Sequence, residues 1–228
     1  MRWMCLPTTS TMKTMKINCI KPSQRKQGRI LVKLEDETIL RLNEVALLRF
    51  GLYDGMEIDE RLREEIERFA AAEKTRESAA GMIGRRALSK KELTDRLVKK
   101  GAEKEDARDA ADWLEEIGAV DDANYAGVIA RHYGSRGYGP GRVKEELRRR
   151  GVDRSLWEEA LAQLPEGREA IAAYLSKRSH GDLKDPKELK RVSDALIRRG
   201  FSWGDVRAAL GEYLADFDEY ERSGHGTA

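Results

Sequence analysis

The sequence predicts a mainly α-helical protein: three tandem three-helix repeats in an elongated array, behind a small N-terminal β-hairpin and short helix. Three observations predict it. A five-residue pattern recurs as LVKKG (97–101), LRRRG (147–151) and LIRRG (196–200). Helix-start signals stand ahead of each copy and a second helical pattern follows it. Charged residues make up 37% of the 228-residue chain and aromatics only 7%, which suits much surface per residue and not one thick core.

Residues 1–15 read as a disordered leader, with Met12 and Met15 as alternative starts of translation. Residues 16–58 form the N-terminal segment. In GRILVKLEDETILRLN (28–43), Ile30, Val32 and Leu34 alternate, EDE turns, and Ile39, Leu40 and Leu42 follow, which is a hairpin pattern. KPSQRKQG (21–28) reads as a mobile lead-in, and EVALLRFGL (44–52) as a short helix ended by Gly51.

The three repeats are placed at 59–120, 121–165 and 166–215, and 216–228 is an acidic tail expected to be disordered. Each begins with a leading helix, near 60–84, 122–136 and 166–179, marked by apolar residues at helical spacing such as Leu62 and Ile66, Tyr125 and Ile129, Ile171 and Leu175. The middle helix of each carries the recurring pattern. Leu97, Leu147 and Leu196 each follow an aliphatic four positions earlier (Leu93, Val143, Val192), the buried side of a short helix. Gly101, Gly151 and Gly200 end it as left-handed caps, and the next residue is apolar each time: Ala102, Val152, Phe201. Its starts are SKKE (89–92), a capping box of Ser89 and Glu92, GPGR (139–142) and DPKE (185–188). A third helix packs back, with alanine nine positions past each glycine (Ala110, Ala160, Ala209); SLWE (155–158) and SWGD (202–205) read as its caps.

At this point the chain resembles a known family, the RecX regulators of the RecA recombinase. The resemblance is carried by MIGRRALSKKELTDRLVKKG (82–101), IGAVDDANYA (117–126), GPGRVKEELRRRGV (139–152) and LIRRGFSWGDVRAAL (196–210), and it covers roughly 16–215. Leu88 departs from the pattern, which in many members has a basic residue there. The resemblance implies a non-enzymatic protein that binds the RecA filament on DNA. It implies limits on filament growth, strand exchange and coupled ATP hydrolysis, in recombination, DNA repair and the SOS response.

Net charge is only +2, so the local distribution carries the information. Crowded arginines repel unless an anionic partner offsets them, which points to a basic partner-binding face. The first repeat offers Arg85, Arg86, Lys90 and Lys91; the third offers Arg198 and Arg199. The middle repeat offers most: Arg131, Arg136, Arg142, Lys144, Arg148, Arg149 and Arg150, and is expected to be the principal contact. The competing reading is that cations in a last helical turn simply complement the helix dipole. A reading from another class is a direct DNA-binding helical protein, whose affinity would fall steeply with salt.

The remaining motifs read as structure. Asp121 and Asp122 mark a turn and the cap before Tyr125, not a catalytic pair. GSRGYGPGR (134–142) is a connector without a P-loop's Lys-Ser/Thr ending, with an anion at the helix start as the residual alternative. His132, His180 and His225 are scattered, and Cys5 and Cys19 have no metal-ligand spacing, so no metal and no cofactor is expected. Trp113, Trp157 and Trp203 are expected to pack in or between repeats. With no long apolar run and no secretory signal, the protein is expected to be a cytoplasmic monomer that touches no membrane.

Overall fold

The computed structural model describes residues 14–177, 183 and 185–222. It is mainly helical, with a small antiparallel sheet near the N-terminus. The chain divides into two units, one of residues 1–82 and 94–111, the other of 83–93 and 112–228. His180, His225 and Cys5 lie outside the described residues, as does most of the leader.

The first unit opens with strands β1 (Thr14–Pro22), β2 (Ile30–Leu34) and β3 (Ile39–Leu42), then helix α1 (Glu44–Phe50), strand β4 (Glu57–Asp59) and helix α2 (Glu60–Ile83). The expected hairpin is β2–β3, paired antiparallel with Val32 opposite Leu40. Its tight turn is stabilised by Asp36, whose carboxylate accepts the Thr38 N–H at 3.0 Å. The sheet is larger than the hairpin. Its order is β3-β2-β1-β4, so β1 and β4, which the sequence pattern does not announce, extend it beyond β2.

β1 escapes an alternation search for a physical reason. Met15 and Ile17 point to the core, but a bulge between Ile17 and Cys19 shifts the register and interrupts the period of two. Lys21 and Pro22, assigned to a mobile lead-in, are paired residues at the end of this strand. Ile17, Val32, Leu34, Ile58 and Ile66 are fully or almost fully buried together, so α2 closes one face of the sheet. Burying side chains of this size contributes roughly 1.5–3 kcal/mol each. α1 ends where expected, with Gly51 left-handed at φ 57°.

Helices α3 (Lys90–Lys99) and α4 (Lys104–Glu116) straddle the division between the units. The second unit continues with α5 (Asp122–Ser135), α6 (Pro140–Arg149), a 3-10 turn (Arg154–Leu156) and α7 (Trp157–Leu161). α8 (Gly167–Lys177), α9 (Pro186–Arg198) and α10 (Trp203–Arg222) complete it. Tyr125, Ile129, Val143, Leu147, Val152 and Trp157 form one core among α5, α6 and α7. Ile171, Leu175, Val192, Leu196, Phe201 and Val206 form another among α8, α9 and α10. Among the described residues no helix is long and apolar enough to cross a membrane.

The recurring glycines end their helices identically. Gly101, Gly151 and Gly200 have φ of 91°, 67° and 90°. Ala102, Val152 and Phe201 each return an N–H to the leucine five positions back, at 3.1, 3.1 and 3.3 Å. This is the Schellman closure, with the leucine and the post-glycine apolar residue both buried at α6 and α9. Two cap expectations are met at Ser202, which accepts the Asp205 N–H, and at Asp185, which accepts that of Lys187.

Further sequence expectations are corrected: α10 runs to Arg222, so 216–222 of the tail expected to be disordered is helical. Ser155 does not cap α7; Asp153 caps the 3-10 turn instead, accepting from both the Ser155 N–H and its hydroxyl at 2.9 and 2.7 Å. Asx capping from the residue two positions earlier competes with a serine cap and wins here. Of the tryptophans, Trp157 is buried and donates to the Val152 carbonyl at 3.1 Å, and Trp113 is half-buried, but Trp203 is 62% exposed. Trp203 sits in the first turn of α10, ahead of its buried stripe of Val206, Ala209 and Leu210.

Candidate functional site

The arginine triplet at the end of α6 separates into three different environments. Arg148 is exposed, its guanidinium 5.8 Å from the centroid of the Trp157 ring. Arg149 grips Glu146 with two hydrogen bonds, at 2.9 and 2.6 Å. Arg150 turns inward. Its Nε donates to the same Glu146 at 2.6 Å, and its Nη1 donates to the Tyr125 hydroxyl and lies 3.7 Å from Glu92.

This cluster joins the end of α6 to the start of α3. The Ser89 hydroxyl, fully buried, donates to the Arg150 carbonyl while accepting the Glu92 N–H at 3.0 Å. Tyr125 donates to Glu92 at 3.0 Å. Asp121 caps its own helix α5 as expected, accepting from Asn124. Asp122 does something a local pattern does not report: it accepts the Lys90 N–H at 2.8 Å and so caps α3. Burial pushes the Asp122 carboxyl above its ordinary range despite that hydrogen bond. The Lys91 side chain lies under Gly151, where a β-carbon would come within 2.2 Å of its Cδ.

Among the described residues Glu146 is the charged group most deeply placed, 3% exposed. Burial works against its charge, but the Arg149 and Arg150 guanidiniums overcome it and lower the carboxyl from 4.5 to about 2. A carboxyl with a depressed folded pKa contributes stability above its unfolded pKa and loses it as pH falls through the folded one. That contribution, about 3 kcal/mol for a shift of this size, is therefore complete above pH ~4.5 and disappears towards pH ~2. Glu146→Gln should lower the urea midpoint near neutrality and flatten its fall between about pH 4.5 and 2.5. Parallel pH profiles for the two proteins would show that this carboxyl is not linked to folding.

A second joint has the same form. The carbonyls of Arg199 and Gly200, at the end of α9, accept the N–H groups of Gly139 and Gly141 at the start of α6, both at 2.8 Å. A side chain on any of these glycines would collide: β-carbons on Gly139 and Gly141 would lie 2.7 and 2.8 Å from the Gly200 carbonyl oxygen. Arg199 donates to the carbonyls of Arg136 and Gly137 at 3.0 and 3.2 Å, and stacks on Tyr138 and Tyr174. The glycine-rich segment before α6 is thus filled by backbone from α9. The alternative of an anion held at that helix start is excluded, because the donors are taken.

The other basic candidates divide by partner. Lys90 bridges Asp112 and Glu115, both at 2.6 Å, and the hydrogen bonds its ammonium donates to those carboxylates raise its pKa to about 12. Arg142 pairs with Glu145, Arg86 reaches Glu92, and Arg131 donates to Gln163. Arg85, Arg136, Lys144, Arg148 and Arg198 present exposed side chains with no carboxylate partner among the described residues. Arg154, which the sequence reading did not single out, joins Arg148: its guanidinium also lies 5.8 Å from the Trp157 centroid. The signal available was its position three residues before that tryptophan. Lys144 stands one helical turn before Arg148, so these two share one side of α6, and Arg154, on the 3-10 turn, meets Arg148 at the Trp157 ring.

Comparison with known proteins gives this architecture a family. A family model described as RecX, second three-helix domain, matches residues 121–161, the stretch of α5, α6 and α7. A regulatory protein RecX of Halorhodospira halophila is 33% identical over 159 residues, 69% of this chain and 97% of its own. One from Xanthomonas axonopodis pv. citri is 34% identical over 141 residues, 86% of its length. Another, from Lactobacillus delbrueckii subsp. bulgaricus, is 28% identical over 204 residues. A crystal structure of regulatory protein RecX shares the fold, with a TM-score of 0.67 at 22% identity, covering 86% of this chain and 98% of that one. On identity and coverage together, the chain belongs to the RecX family of regulatory proteins.

Proposed function

We propose that this protein binds the RecA recombinase filament on DNA and restrains its growth, strand exchange and coupled ATP hydrolysis. Family membership, at a third identity over nearly the whole of a regulatory relative, is the observation that carries the reading. In it the chain is a cytoplasmic monomer without catalysis of its own. It is built as three tandem three-helix repeats that together make several modest contacts. Added to RecA on single-stranded DNA with ATP, it is expected to lower hydrolysis and D-loop yield below one copy per recombinase protomer. No effect at any ratio sinks the proposal.

The exposed cations Lys144, Arg148 and Arg154 are the contact residues this reading favours, in place of the full arginine triplet. Arg149 and Arg150 are occupied by Glu146, so reversing their charge would test the fold and not the contact. Lys144→Glu combined with Arg148→Glu should weaken capture by filaments about tenfold, mostly through slower association, with the helical circular-dichroism signal unchanged. Undiminished capture removes this face from the contact. Tight binding of the unmodified protein to naked DNA, falling steeply with salt, would instead favour the direct DNA-binding reading.

A further inference from the structure

In the second unit, the carboxyl end of a helix twice forms a seat for the amino end of another. At the end of α6 the seat is made by the Arg150 carbonyl, the left-handed Gly151 and the Arg150 guanidinium; its occupant is the start of α3. At the end of α9 it is made by the carbonyls of Arg199 and Gly200, with the Arg199 guanidinium alongside; its occupant is the start of α6. Both occupants begin with a small residue, Ser89 or Gly139, that lets the backbones approach. Such a seat is selective. Exposed carbonyls and the negative end of the helix dipole repel anions and attract N–H donors.

Helix α3 ends with the same parts. Lys100 corresponds to Arg150 and Arg199, and Gly101 to Gly151 and Gly200, in a register shared by the buried leucines. The Schellman closure is the same. The surroundings are not. Lys99, Lys100 and Gly101 are all exposed, and a β-carbon on Gly101 would meet nothing within 4 Å, against 2.2 Å at each of the other two. No backbone donor among the described residues reaches the Lys100 or Gly101 carbonyl.

We propose that Lys99–Lys100–Gly101 is a third seat, open for the start of a helix on a partner protein. That helix carries glycine or serine as its cap and a carboxylate in its first turn. The small cap follows from the two occupants seen, and the carboxylate from the Arg150–Glu92 contact at the filled seat. A second copy of this chain is a poorer occupant. Its own middle-helix start not already seated begins Asp185–Pro186: proline has no N–H to give, and the aspartate is engaged by Lys187. The inference rests on the repeat reading above and not on the partner being the recombinase.

The probe is a helix-stapled peptide of residues 87–99, the segment that fills the equivalent seat. It is titrated into the full-length, nitrogen-15-labelled protein. Saturable shifts at the Gly101 and Ala102 amides are expected, and Lys100→Glu should weaken binding about tenfold. A peptide carrying Glu92→Lys should lose affinity for the parent protein and regain it with Lys100→Glu, a reversal that mere loss of fold cannot produce. No shift at these amides with the peptide at about 1 mM, or equal affinity for parent and Lys100→Glu, overturns the proposal. Shifts at the same amides that grow with protein concentration alone assign the seat to a second copy and equally overturn it. Filament capture is read separately, so a peptide that binds where filaments do not would remove the recombinase and leave the seat.

Discussion

Arg150→Ala is expected to lower the melting temperature by about 5–10 °C, while Arg148→Ala, two residues earlier in the same triplet, changes it by no more than about 1–2 °C. Arg150 is 22% exposed and touches Glu146, Glu92 and Tyr125. Its loss leaves a carboxylate that is 3% exposed with Arg149 as its remaining guanidinium partner. Breaking a buried pair costs about 3–5 kcal/mol. Because Arg149 stays and Arg150 is not fully buried, about 2–3 kcal/mol is the fitting figure. Arg148 gives up only an exposed stacking contact on Trp157, about 0.5 kcal/mol. Thermal melts followed by circular dichroism decide between them. Equal shifts for the two alanine variants would mean that the Glu92–Tyr125–Glu146–Arg150 cluster adds nothing to folding.

Valine at the three helix-ending glycines is expected to destabilise in the order Gly200, Gly151, Gly101. All three backbones are left-handed, so each variant carries a strain of about 1–3 kcal/mol. The difference lies in what the new β-carbon meets. At Gly200 it would sit 2.2 Å from the Arg142 backbone nitrogen, which cannot move without lifting α6 off α9. That adds an overpacking cost of about 1–3 kcal/mol and the two hydrogen bonds to Gly139 and Gly141. At Gly151 the obstacle is the Lys91 side chain, which can swing aside in part; at Gly101 there is none. Hydrogen exchange should show the Gly200→Val protein opening first at the start of α6. Three equal melting temperatures would mean that strain alone, without close packing, fixes the glycine.

Much of this was legible because it is local. A Schellman end needs a leucine, a glycine and an apolar residue within five positions, and Leu147, Gly151 and Val152 supply them in one glance. The same holds for the β2–β3 hairpin and for the caps at Asp121, Asp185 and Ser202. What stayed hidden depends on residues distant in the chain. β4 is only Glu57–Asp59, too short to show a period, and is defined by its pairing with β1. Asp122 reads as a cap for the helix it begins and instead serves Lys90, 32 residues away. The arginine triplet looked like one basic patch because sequence shows charge without its neighbours. Glu146 was visible inside the same helix, yet a spacing of i to i+4 says nothing about the burial that makes its pairs strong. On the exposed cationic side of α6, Lys144 and Arg148 are legible in the sequence; folding brings Arg154 to the same indole as Arg148.

Helix α6 is gripped at both extremities: its first amides by α9, its last carbonyl by Ser89. It therefore behaves as a strut whose length is dictated from outside. One residue more or fewer would offset the two grips by about 1.5 Å and rotate them by about 100°, so neither could close while the other held. The ten residues Pro140–Arg149 are a gauge between two fasteners. Drift in amino-acid identity along that rod is tolerable on its outer side, whereas drift in its residue count is not.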